Sequence, residues 1–130
     1  MILLDTHVVL WLALEPERVS KAAMAAIDDA RANGEALAIS DVTLMEIATA
    51  HGKGRVRLTM SLESFLDEAE QRFAVLPISG RACARTLALP ASYPKDPVDR
   101  VIGATALVEG IALVTADNAI RRAKVVETVW

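Results

Sequence analysis

The sequence predicts an α/β fold: a central, mostly parallel sheet of four to five strands with helices on both faces, in three layers. Three observations carry this. Short apolar runs alternate with longer stretches of helical periodicity almost throughout the chain. Helix stop signals recur where the apolar pattern breaks, at Asn33-Gly34, Gly52 and Gly110. No repeat, low-complexity tract or linker interrupts the 130 residues, which fit one domain spanning residues 1–130.

The elements follow in order. Ile2-Leu3-Leu4 is a short apolar run ending in a carboxylate, as a buried strand would. Residues 8–14 form a short helix before the break at Pro16. Residues 20–32 form a helix capped by Ser20. Leu37-Ala38-Ile39 is a second strand, and residues 41–51 are a helix closed by Gly52. Residues 61–72 are amphipathic, with Leu62, Phe65, Leu66 and Ala69 on one face. A third strand covers 74–78 and a helix covers 81–89. A loop with three prolines spans 90–97, and a helix runs from Pro97 to Glu109. Residues 111–114 are a fourth strand, 118–122 a helical turn, and 125–129 an edge strand. Right-handed crossovers then bring every strand C-terminus to one edge, where such sheets build their sites.

Composition narrows the function. Hydrophobic residues are 53% of the chain, enough for a large core with apolar surface left for a partner. No apolar run reaches the ~18 residues of a membrane span. Asp5 comes too early for a signal peptide, and the single Cys83 suits a reducing cytoplasm, packed inertly in the core. The net charge of −3 argues against nucleic-acid binding through a broad basic face, without excluding RNA. Phosphate contacts must therefore come from local groups: Lys53, Arg55 and Arg57, or Arg121, Arg122 and Lys124.

The chemistry-bearing residues are carboxylates. Asp5 directly follows three apolar residues, an expensive place for a charge unless something compensates it. Asp117 lies just past the fourth strand, at the same sheet edge. Glu46 is the only interior charge of a helix that is apolar nearly all round and so is expected to be buried. Asp96 is a natural N-cap with Pro97 behind it, and Asp99 falls at the third helical position, where it points toward the strand-end crevice. Arg100 beside it is placed to pair with a carboxylate or a phosphate. Capping alone accounts for Asp96 and Asp99; solvent alone accounts for a lone helix glutamate. Converging carboxylates without equivalent cations repel one another, however, and a divalent metal removes that penalty. Mg²⁺ takes a few carboxylate oxygens, keeps several waters and activates one of them against a phosphodiester. The sequence holds no glycine-rich phosphate loop with lysine, no Cys/His metal spacing and only two histidines, His7 and His51. His7 is expected to be structural or substrate-contacting rather than a ligand.

Four segments together resemble the PIN-domain family, specifically the VapC-type toxins of bacterial toxin–antitoxin pairs. They are residues 3–11 (Leu3-Leu4-Asp5-Thr6-His7-Val8-Val9-Leu10-Trp11), 40–48 (with Glu46), 95–106 (with Asp96-Pro97-Val98-Asp99-Arg100) and 113–117 (Leu113-Val114-Thr115-Ala116-Asp117). Residues 125–130 look like the family's closing strand. The resemblance implies a PIN fold, Mg²⁺ with Mn²⁺ as substitute, and endonucleolytic cleavage of RNA. Transfer RNA is the commoner family target, with rRNA and mRNA as others. It also implies a homodimer and a cognate VapB-type antitoxin in a hetero-oligomer, with DNA met only through that antitoxin. By the same resemblance Asp5, Glu46, Asp99 and Asp117 are the acidic set, with Asp5 and Asp99 the strongest ligands and Glu46 and Asp117 acting directly or through water. Asp96 is a ligand or only a cap. Thr6 and Thr115 match hydroxyl residues near the metal. Two positions depart from the family's D-P-F-D-R subgroup: Pro94 stands where histidine is usual, and Val98 replaces phenylalanine. The antitoxin contact is expected on the apolar face between residues 20 and 70.

Two rivals remain at this level. An aspartyl-phosphate phosphatase or receiver also uses a strand-end aspartate and Mg²⁺, but His7 stands where the phosphatase wants a second acid, and the receiver's paired acids and lysine are missing. A catalytically inactive PIN-like binding module is the other; the complete acidic set argues against it.

Overall fold

A computed structural model describes residues 1–130. Five strands form one sheet: β1 (Ile2–Leu4), β2 (Leu37–Ser40), β3 (Ala74–Leu76), β4 (Leu113–Val114) and β5 (Thr128–Val129). Their order is β3-β2-β1-β4-β5 and every pairing is parallel. Seven helices connect them: α1 (Thr6–Leu14), α2 (Lys21–Ala32), α3 (Asp41–Gly52), α4 (Leu62–Arg72), α5 (Gly80–Ala88), α6 (Pro97–Glu109) and α7 (Asn118–Ala123). A single 3-10 turn at Pro16–Arg18 follows α1, where Pro16 cannot continue the helix.

The strands are very short, so burial rather than propensity holds them. Successive residues face opposite sides, as a pleat requires. Leu4, Leu37, Ile39 and Val114 point into one core with Val8, Ile27, Ile47 and Phe65. Leu3, Ala38 and Leu113 point into the other with Tyr93, Ile102, Ala106 and Ile120. Both faces are thus covered by helices, and each fully buried Leu or Ile contributes about 1.5–3 kcal/mol. The three-layer expectation holds, with the sheet wholly parallel and five-stranded.

Caps set the helix starts. Ser20, Ser40, Ser61 and Ser79 each accept a backbone N–H from the helix they precede. Gly110 ends α6 in the left-handed conformation (φ 65°), which a residue with a Cβ rarely adopts.

Two sequence expectations fail here. Cys83 is exposed, not core: Ala82 supplies the buried face of α5, and its neighbour Cys83 is turned well away around the helix. Likewise α3 is not buried all round. Only Thr43 and Ile47 are, and Met45 is 67% exposed. An apolar sequence with no polar face carries no information about which side meets solvent.

Candidate active site

From β1 the chain moves to β2 and β3 on one side, then returns to β4 and β5 on the other. The reversal lies between β1 and β4, the place where open parallel sheets hold ligands beyond their strand C-termini. Asp5 and Thr115 directly follow those two strands. The pairing runs on past the strands: Asp5 N–H donates to the Val114 carbonyl at 3.0 Å.

Asp5 is 4% exposed and fully engaged. Its Oδ1 accepts the Thr6 N–H at 2.9 Å, making it the cap of α1, and its Oδ2 accepts the Thr115 hydroxyl at 2.7 Å. That same hydroxyl oxygen accepts the Asp117 N–H at 3.1 Å. One buried threonine therefore ties two acidic residues 112 positions apart in numbering to one point. Asp117 in turn caps α7, its Oδ1 accepting from Ile120 N–H at 2.9 Å.

Asp96 and Asp99 arrive on α6. Asp96 is exposed and caps the helix, its Oδ1 accepting from Val98 and Asp99 N–H at 2.9 and 3.1 Å. Asp99 is half-buried, and burial together with Asp5, Asp96, Asp117 and Glu46 pushes its carboxyl up to about 7. Four acids felt by a fifth is the electrostatic signature of convergence. Glu46 comes from α3. Burial raises its pKa first, the Thr6 hydroxyl leaning toward it lowers it, and Asp5 and Asp96 raise it again. Thr6 and Thr43 share a buried hydroxyl contact at 3.1 Å, which ties α1 to α3.

The sequence-expected acids Asp5, Glu46, Asp96, Asp99 and Asp117 thus share one edge of the molecule, with Thr6 and Thr115 among them. Arg100 does not join them. Its guanidinium donates to the Thr86 carbonyl at 3.0 Å and ties α6 to α5, because the position after Asp99 is rotated toward α5. Arg100 supports the site only by anchoring α6.

Sequence reasoning missed one support. Tyr93, from the proline loop, is 1% exposed and its hydroxyl donates to the Asp99 carbonyl at 3.3 Å. Burial and the charges of Asp5, Asp99 and Asp117 hold that phenol far above its ordinary range, so it stays protonated. It fits because position 103 has no side chain: a Cβ on Gly103 would stand 2.1 Å from Tyr93 Oη. A glycine inside a helix, costly by about 1 kcal/mol, was the available signal. His7, expected to be structural or substrate-contacting, is a second support. Its Nε2 accepts the Ala116 N–H at 2.9 Å and its Nδ1 lies 3.8 Å from Asp5 Oδ2. Burial lowers its pKa more than Asp5 and Asp117 raise it, in keeping with a neutral ring whose Nε2 lone pair is in use.

No three of the acidic, histidine or cysteine side chains are drawn close enough to enclose a cation. The site is an open, loosely spaced set of hard oxygen donors at the mouth of the switch point, where the neighbouring acids raise the carboxyls of Asp99 and Glu46 after burial. That donor set fits Mg²⁺ or Mn²⁺, which take few protein oxygens and complete their shell with water.

Comparison with known proteins gives concordant matches. The profile of the PIN domain family matches residues 2–126. The chain is 37% identical over 120 residues to Ribonuclease VapC22 of Mycobacterium tuberculosis, covering 92% of this chain and 89% of that protein. Among solved structures, VapBC2 from Rickettsia felis bound to a DNA fragment from its promoter superposes with a TM-score of 0.73 at 19% identity, over 98% of this chain and 97% of that one. VapBC-1 from nontypeable Haemophilus influenzae gives a TM-score of 0.68 at 21% identity, over 98% and 96%. At these identities the structural likeness is one of fold.

Proposed function

This chain belongs to the PIN-domain family, and from that premise we propose that it is the VapC-type ribonuclease toxin of a type II toxin–antitoxin pair, cleaving RNA with a divalent cation held by Asp5, Asp99, Asp117 and Glu46. The carrying observation is that Thr115 joins Asp5 and Asp117 at the switch point of the sheet, where half-buried Asp99 is pushed up to about 7 by burial first and then by four other acids. An arrangement that repels its own charge is costly to the fold and is explained when a cation completes it.

When bound, Mg²⁺ or Mn²⁺ supplies polarisation of the phosphodiester and activation of an attacking water. The chain's own residues do the positioning. The Thr115 hydroxyl holds Asp5 Oδ2 and the Asp117 backbone, and neutral His7 braces Asp5 against the Ala116 amide. Tyr93 fixes the first turn of α6 and with it the approach of Asp99. Asp96 Oδ1 is committed to capping, which leaves only its Oδ2 for a cation or its waters.

Transfer RNA is the proposed substrate, and a VapB-type antitoxin the proposed regulator, with contact to DNA only through it. A cavity of about 230 Å³ between α1, α2 and α4, apolar at Leu12, Met24, Phe65 and Phe73 and charged at Arg31 and Glu68, overlaps the face proposed for the antitoxin and reaches beyond it to α1. A homodimer acting in the cytoplasm completes the proposal; no helix is long and apolar enough to cross a membrane.

Purified protein should cut tRNA with Mg²⁺ or Mn²⁺, and both EDTA and Asp5→Ala should abolish cutting. Cleavage that survives Asp5→Ala, or none with either metal, refutes the reading. Sequencing RNA ends after brief expression identifies the target. Hydrogen exchange with bound antitoxin should show protection within residues 20–70; unchanged protection there removes the assignment of that face.

A further inference from the structure

Beside the carboxylate mouth lies a second, oppositely charged groove. It measures about 460 Å³, and its lining includes Leu10, Trp11, three arginines (Arg18, Arg55 and Arg57) and one acid, Glu15. Arg55 and Arg57 are exposed and stand in no ion pair. Arg18 pairs with Glu15 at 3.1 Å and lies over the Trp11 ring at 4.1 Å. In a chain of net charge −3, two unpaired guanidiniums on one groove are a local reversal of sign.

The groove is joined to the carboxylates by aromatic rings. His7, within 3.8 Å of Asp5, lies 4.9 Å by ring centroid from Trp11, which lies 5.7 Å from Trp130. Half-buried Trp11 thus stands one side chain from the mouth, on the same helix that Asp5 caps. Flat rings flanked by guanidiniums are what single-stranded nucleic acid uses: bases stack and phosphates pair. An acidic peptide would satisfy the arginines but would not require the rings.

We propose that the groove of Trp11, Arg18, Arg55 and Arg57 binds unpaired nucleotides adjoining the phosphate to be cut, with a base stacked on the Arg18 guanidinium that Trp11 backs and phosphates on Arg55 and Arg57. This rests on the nuclease reading of the neighbouring mouth and selects Arg55 and Arg57 over the α7 cations as backbone contacts. The preferred substrate would then be RNA with a single-stranded segment at the cut, since a duplex keeps its bases stacked on each other.

Binding separates this proposal from the nuclease reading. A fluorescein-labelled single-stranded RNA of about 12 nucleotides, a duplex of equal length and poly-glutamate serve as probes. They are titrated in EDTA onto the Asp99→Asn chain, so that nothing is cut. The single strand should bind tighter than the duplex and quench tryptophan fluorescence. Arg55→Gln/Arg57→Gln, an exposed pair that leaves folding intact, should weaken single-strand binding about tenfold and reduce the slope of log K against log salt by about 1.4. Trp11→Leu should weaken it about tenfold without changing that slope. Binding by the arginine double variant within twofold of its parent overturns the proposal. So does poly-glutamate binding as tightly as RNA, which makes the occupant a protein segment. If tRNA is cut normally while the arginine pair alters neither binding nor KM, the groove fails and the nuclease stands. If the single strand binds as expected but is never cut with metal, the groove stands and the nuclease fails.

Discussion

Asp99→Asn should stabilise the metal-free protein while removing its response to metal. Asn keeps the shape and the backbone N–H bonded to Asp96, and deletes one charge from the repelling set. Folding favours the protonated acid, because the Asp99 carboxyl rises from 3.8 to about 7. Below the lower value both folded and unfolded chains are protonated and the residue costs nothing. As pH rises between the two, the unfolded chain ionises first, so the fold loses stability; above the upper value the penalty is constant. Taken at face value that gap is worth about 4 kcal/mol. Asp99 is only half-buried, and solvent screening reduces the figure to about 1–2 kcal/mol. In EDTA near pH 8, the variant should therefore melt about 3–8 °C above the parent. Near pH 4 the difference should all but vanish. Adding Mg²⁺ at about ten times its Kd should stabilise the parent by about 1.4 kcal/mol and the variant far less. Scanning calorimetry at both pH values, with and without Mg²⁺, reads all of this. A variant no more stable than the parent in EDTA at high pH, or a gain that persists undiminished at low pH, refutes the claim that the acids converge on Asp99.

Three further outcomes follow from named contacts. Thr115→Val keeps the volume but leaves buried Asp5 Oδ2 without its donor; it should cost about 1–3 kcal/mol in urea unfolding, and calorimetric Mg²⁺ affinity should fall about 10–100-fold, with Thr115→Ser restoring both. Gly103→Ala should destabilise by about 1–3 kcal/mol despite alanine's better helix propensity, because Tyr93 is buried and cannot retreat. Adding Tyr93→Phe should recover part of that loss, and a purely additive double-mutant cycle would contradict the packing described. NMR titration of His7 should give a midpoint below the ordinary 6.5. The unfolded chain then binds the proton more readily, so this residue's contribution is present above pH 6.5 and lost as pH falls; a raised midpoint would show that Asp5 outweighs burial.

The fold was largely legible because the alternation of strand and helix signals is local. Ser20, Asp96-Pro97 and Gly110 mark helix ends through bonds spanning only a few residues. The acids were legible as a set because each interrupts an apolar context or opens a helix at a strand end. What stayed hidden depends on rotation about helix axes, which only packing sets. Arg100 adjoins Asp99 in sequence yet faces α5. Cys83 adjoins a buried alanine yet faces solvent. The Thr115 bond to Asp5 and the Ala116 bond to His7 join opposite ends of the chain, and no periodicity announces them. The uniform apolarity of α3 concealed that Met45 lies outside.

Asp5, Asp96 and Asp117 each begin a helix with one carboxylate oxygen, and the second oxygen of Asp5 is held by the Thr115 hydroxyl. The same atoms that start α1, α6 and α7 therefore hold the acids in place before any ion or substrate arrives, so little orientational freedom is lost on binding. The coupling also constrains descent. A lineage that abandoned the reaction and let these positions drift to alanine would fray three helix starts at once, whereas drift to asparagine would silence the chemistry and leave the architecture standing. Inactive descendants of this chain should carry asparagine there.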